Sequence, residues 1–181
     1  MQGTDVLVPL AEIAGVFVGF GALIAVRSGA TMALSEIIWM RYVMIAGIWV
    51  VIAALAPTVI GSYGVAGHEL WLACSLVALA LFAAMVIVFA LTPENQAERA
   101  RASSAVPRGV AAAVYGSTVW LPMPLLLVAL ALVVLGPFPD QEQALYLTAV
   151  AVGLYMGAIA LFVAVFWQGP RAELPTEQAG P

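Results

Sequence analysis

Five apolar stretches of about twenty residues recur along this chain, each long enough to cross the hydrocarbon core of a bilayer as a helix. They lie at about residues 6–26, 42–60, 70–91, 110–135 and 144–167, and each carries one charged residue or none. Composition closes off the soluble alternative: 64% of residues are hydrophobic, 9% are charged, and the mean hydropathy is +1.08. Soluble domains are about half apolar and a quarter charged. A water-soluble fold of 181 residues has too little interior to hide this much apolar surface. We therefore expect an all-α, polytopic transmembrane helical bundle of about five spans over residues 1–167. The polar tail at 168–181, with three prolines, is expected to be disordered.

The connections punctuate the spans. Arg27-Ser-Gly ends the first, and residues 31–41, where Glu36 and Arg41 interrupt apolar positions, are expected to lie along the interface before the second. Thr92-Pro93-Glu94 breaks the third span, and residues 92–109 form the longest polar connection. Pro122 and Pro124 fall inside the fourth. They predict a kink, or a helix beginning near Val119 with a short helix before it. Gly136-Pro-Phe-Pro-Asp140 is a turn cluster. The N-terminus has no basic n-region, and its apolar run is too long for a signal peptide, so an uncleaved first span is expected.

Charge sets the orientation. Arg27 and Arg41 flank the first connection, Arg99, Arg101 and Arg108 lie in the third, and Arg171 is in the tail. The N-terminus and the second and fourth connections carry no arginine. The positive-inside rule then predicts an outside N-terminus and a cytoplasmic C-terminal tail. Trp39, Trp71 and Trp167 fall near the expected interfaces.

Glu12 is the strongest chemical signal. It lies inside the first span, roughly 9 Å from its outer end. A carboxyl at that depth is costly and usually faces a bundle interior or a water-filled cavity. Gly15 and Gly19 share its helical face, and Ala11, Gly15 and Gly19 form a small-xxx-small run that allows close helix packing. The expectation is that Glu12 points into the bundle, where Ser75, Tyr146 and Thr148 are candidate partners. It would act there as a proton- or ion-binding group or as a hydrogen-bonded lock between helices. Arg27, Glu36 and Arg41 are a candidate ion-pair or lipid-headgroup cluster at the inner face; simple topology anchoring explains the same residues.

Other chemistries are poorly supplied. The six basic residues are all Arg and form no patch, so no nucleic-acid partner is expected. The absence of Lys excludes a retinal Schiff base, and no phosphate-binding Gly-x-x-x-x-Gly-Lys loop occurs. His68 is the only histidine, too few for a metal centre or bis-His haem, and no cofactor is expected. Ser117, with Tyr115 and Thr118 nearby, has no histidine at a suitable depth to activate it, and no catalytic constellation is found. Cys74, the only cysteine, reads as a small core residue.

Leu10-Ala-Glu-Ile-Ala-Gly-Val-Phe-Val-Gly-Phe, then Arg41-Tyr-Val and an apolar run ending in Leu55-Ala-Pro, resembles a group of small uncharacterised bacterial multi-span inner-membrane proteins. The likeness covers roughly residues 10–90 and includes Glu12, Gly15 and Gly19. It implies a bacterial inner-membrane location and brings no assigned activity; the spans with Pro122 and Pro124 lie outside it. Two function classes remain. One is a small structural or accessory membrane subunit, surrounded by lipid and packing through its first helix against itself or a membrane-protein partner. The other is an oligomeric channel or proton-linked transporter with Glu12 in its path.

Overall fold

The computed structural model describes residues 4–28, 34–93, 96 and 121–166. Five α-helices occur among them: α1 (Thr4–Ser28), α2 (Leu34–Ser62), α3 (His68–Leu91), α4 (Pro122–Leu135) and α5 (Glu142–Phe166). A 3-10 turn, Pro139–Gln141, precedes α5. Helices α1, α2 and α3 contain windows long and apolar enough to cross a membrane, and a fourth window, Pro139–Phe162, covers the 3-10 turn and most of α5. At 14 residues, α4 is about 21 Å long, short of a ~30 Å hydrocarbon core. The chain is thus an all-α, multi-span membrane protein with four full-length candidate spans and one shorter apolar helix among the described residues.

One local expectation changes and another is narrowed. Residues 34–41 are not a segment separate from the second helix, because α2 runs unbroken from Leu34 to Ser62. No glycine or proline interrupts that stretch before Gly47, so nothing stops the helix from propagating. The 29 residues make a rod of about 43 Å, longer than the hydrocarbon core, with the apolar window beginning only at Met40. Of the two arrangements expected around Pro122 and Pro124, the structure is closer to the second, since α4 begins at Pro122, three residues past Val119. Pro122 and Pro124 occupy its first turn, where backbone N–H groups lack intrahelical partners anyway. Residues 110–120 of the expected fourth span lie outside the described residues, as does the tail at 168–181.

Helix α2 is the centre. Half of its apolar window is buried, against 17% for α1. Its Trp49 organises three helices. The indole Nε1 donates to the Ala78 carbonyl of α3 at 2.9 Å, and the rings of Trp49 and Phe82 meet edge-on at 6.0 Å. On the α5 side the indole lies on Gly153, where any Cβ would collide with it. Helices cannot rely on the hydrophobic effect to associate in lipid, so close backbone approach of this kind is a main source of cohesion. The same device joins α1 to α2. A Cβ on Gly47 would lie 2.5 Å from Val18 Cγ2 and 3.3 Å from the Ala14 carbonyl oxygen.

Pro57 lies inside α2 and is buried. Having no N–H, it leaves the carbonyl of Ala53 without its i+4 donor. In a bilayer a neighbouring helix must supply the missing hydrogen bond. Tyr146 of α5 does so, its buried hydroxyl donating to the Ala53 oxygen at 2.7 Å. The ring is backed by Trp71 at 5.6 Å between centroids. Tyr146→Phe is therefore expected to cost about 1–2 kcal/mol in unfolding assays. In a Pro57→Ala background, where residue 57 regains its N–H, the same change is expected to cost much less. Equal costs in the two backgrounds would refute this coupling.

Candidate functional site

The packing of α1 decides where Glu12 points. Leu7, Ala11 and Ala14 are buried, and Gly21 faces Val43 and Met44 of α2. With Val18 on Gly47, these residues form one stripe along α1 at helical spacing. Contacts of Gly21 with residues 43–44, and of Ala14 and Val18 with residue 47, show that α1 and α2 run antiparallel. Continued along the pair, that register carries Glu12 to about the level of Ile52. This is close to the middle of the Met40–Ser62 window.

Glu12 is not in the stripe. It is exposed, and so are Val8, Gly15 and Gly19 on the same helical face. A Cβ built on Gly15 or Gly19 would meet nothing within 4 Å. Val16, Phe20 and Leu23 flank this face, each more than half exposed. The expectation that Glu12 points into the bundle is thus corrected: the carboxyl faces outward from the isolated chain at membrane depth. The physical reason is competition between faces of one helix. Ala11, Ala14 and Gly21 offer α2 a surface as small as the one Gly15 and Gly19 carry, and apolar throughout. Ala11 therefore belongs to the intrachain contact, separated from the two glycines with which its spacing groups it.

None of the candidate partners reaches Glu12. The Tyr146 hydroxyl is taken by Ala53, and Thr148 donates back to the Ala144 carbonyl of its own helix at 2.8 Å. Ser75 is buried, and its Oγ has no hydrogen-bond partner among the described residues. Cys74 is a fully buried free thiol beside it.

At the opposite end of α1, Arg27 lies in its last turn, and Glu36 and Arg41 lie in the first third of α2. The antiparallel register brings these helix ends together. The side chains of Arg27 and Glu36 lie outside the described residues, whereas Arg41 is half-buried.

The interior itself is apolar. Apart from the polar tips of Trp49 and Tyr146, Ser75 and Glu142 are the only buried polar side chains among the described residues. A recess lined by Tyr42, Trp49, Phe82, Met85, Gly153 and Met156, among others, is apolar and has room for about one water molecule. No group of three or more potential metal ligands occurs among the described residues.

One polar contact escapes a reading of spacing alone. His68, the first residue of α3, places Nδ1 2.5 Å from Oε1 of Glu142, the first residue of α5. These residues are 74 positions apart, and no periodicity pairs them. No protein-family model matches this chain, and no curated protein or solved structure is found to be similar to it.

The two small faces of α1 make separable predictions. Gly47→Leu is expected to destabilise the isolated chain by several kcal/mol, because the new side chain must displace Val18 and the α1 backbone. Gly15→Leu is expected to change the melting temperature of the isolated chain little. A large loss in Gly15→Leu would place that glycine inside the bundle.

Proposed function

We propose that this chain is a small structural or accessory subunit of a bacterial inner membrane, whose α1 packs against a helix of another membrane protein. The reading takes the N-terminus as outside and the C-terminus as cytoplasmic, following the arginine distribution. The observation that carries it is the outward placement of Glu12 near the middle of the apolar depth, beside Gly15 and Gly19. A lipid-facing carboxyl there is costly, and such residues are characteristically covered by protein or water. Two adjacent glycines with open space above them let a partner backbone approach closely enough to offer a hydrogen-bond donor.

A catalytic or single-chain transport role draws less support. The apolar recess holds no more than about one water, and its lining is hydrocarbon and aromatic. Too few buried polar groups occur among the described residues to line a path for ions. An oligomeric channel or proton-linked transporter, with Glu12 from several copies around a shared axis, uses the same face in a different way.

Native mass spectrometry after gentle extraction from the source membrane separates these readings. The wild-type chain is expected to emerge bound to a different membrane protein, and Gly15→Leu or Glu12→Gln to release it. A homo-oligomer with no second protein would favour the channel reading. A wild-type chain released as a single copy would contradict both.

A further inference from the structure

Among the described residues, Glu12 has no counter-charge within reach. Helices α3, α4 and α5 contain neither Arg nor Lys. Arg27 lies at the far end of the same helix, about 22 Å along its axis at 1.5 Å per residue. Arg41 sits on α2 about 16 Å from Ile52, the residue level with Glu12. Each gap is three helical turns or more, too far for a side chain to bridge.

The surface around the carboxyl has a definite relief. Gly15 and Gly19 follow it on the same face, about one and two turns toward the Arg27 end. A Cβ on either would meet nothing within 4 Å, and exposed Val16 and Phe20 stand beside them as an apolar wall. Another backbone can therefore come closest at the glycines, while the carboxyl stands one turn beyond that point of contact.

From this arrangement we propose that the helix covering α1 carries a basic side chain opposite Glu12, with small residues on its same face opposite Gly15 and Gly19. The inference rests on the accessory-subunit reading and specifies the chemistry of the partner. Charge decides the class of side chain. An ionised carboxyl only accepts hydrogen bonds, and a guanidinium or ammonium brings several donors together with the opposite charge. Ionisable groups inside membrane helices characteristically pair with one another. Length suits as well, since the stem of a basic side chain can lie along Val16 and Phe20 while its head reaches the carboxyl. A second copy of this chain fits the face less well. Two copies inserted in the same direction are related by an axis along the membrane normal, so each Glu12 would meet the other at the same depth. Like groups would then oppose each other where an opposite charge is needed.

The test uses the purified full chain in phosphatidylcholine vesicles with synthetic transmembrane peptides. Each peptide is a leucine-rich helix with a glycine stripe on one face and Arg, Gln or Leu at the centre of that face. Energy transfer between labelled chain and labelled peptide reads binding. Wild type is expected to bind the Arg peptide about tenfold more tightly than the Leu peptide, with the Gln peptide between them. Glu12→Gln is expected to lose most of that preference, and Gly15→Leu to weaken binding of all three peptides. Both substitutions lie on an exposed face, and an unchanged melting temperature of the isolated chain checks that each variant folds. Equal binding of the Arg and Leu peptides by wild type overturns the proposal, as does an Arg preference that survives in Glu12→Gln. Transfer between copies of the chain that the Arg peptide does not displace assigns the face to a second copy and overturns it too. If native mass spectrometry finds a different membrane protein bound while wild type ignores the Arg peptide, the basic partner is refuted and the accessory-subunit reading stands.

Discussion

A carbonyl that has lost its donor inside a bilayer has no water to turn to, and that constraint shapes this bundle. Pro57 strips Ala53 of its helical hydrogen bond, and Tyr146 replaces it from α5. The pairing fixes the depth of α5 against α2. It also demands that Tyr146 be fully buried, which draws Trp71 of α3 onto its ring. One turn away on α2, Trp49 closes the same triangle, donating to Ala78 and lying on Gly153. Two aromatic polar tips thus register α2, α3 and α5, in an interior where directional bonds are few and therefore decisive.

Much of this architecture is legible in the sequence. Runs of apolar residues with no charge announce α3 and α5, and Thr92-Pro93 and the Gly136–Asp140 cluster mark where helices stop or turn. These are local signals, each set by backbone chemistry within a few residues. Residues 34–41 did not read as part of the second helix because their polar positions suggested a boundary; amphipathic composition does not end a helix, only a breaker does, and α2 has none there. The prolines of α4 were ambiguous for a related reason. Proline is harmless in a first turn and disruptive four residues later, so its effect depends on a boundary that the apolar run does not mark.

The candidate site shows the limit more sharply. Helical spacing correctly groups Glu12 with Gly15 and Gly19 on one face. Spacing says nothing of which face turns inward, because α1 has two small faces and either suits a neighbour. The chain buries Ala11, Ala14 and Gly21 within its own bundle, the last two against α2, and leaves the polar face exposed. The pairing of His68 with Glu142 was illegible for another reason: it depends on how the ends of α3 and α5 converge, a tertiary property with no period along the chain. Pro57 did carry a signal that Tyr146 answers, since a proline in the interior of a membrane helix leaves an orphan carbonyl that some donor must reach.

We propose that α1 spends one face within the chain and reserves the other for protein. Reaction of Glu12 with a membrane-soluble carbodiimide, read by mass spectrometry of the peptide, tests it most directly. Glu12 is expected to be protected in native membranes and labelled once the chain is purified as a single copy in detergent. Labelling of equal extent in both states would mean that the face lies open to lipid, and would contradict the account.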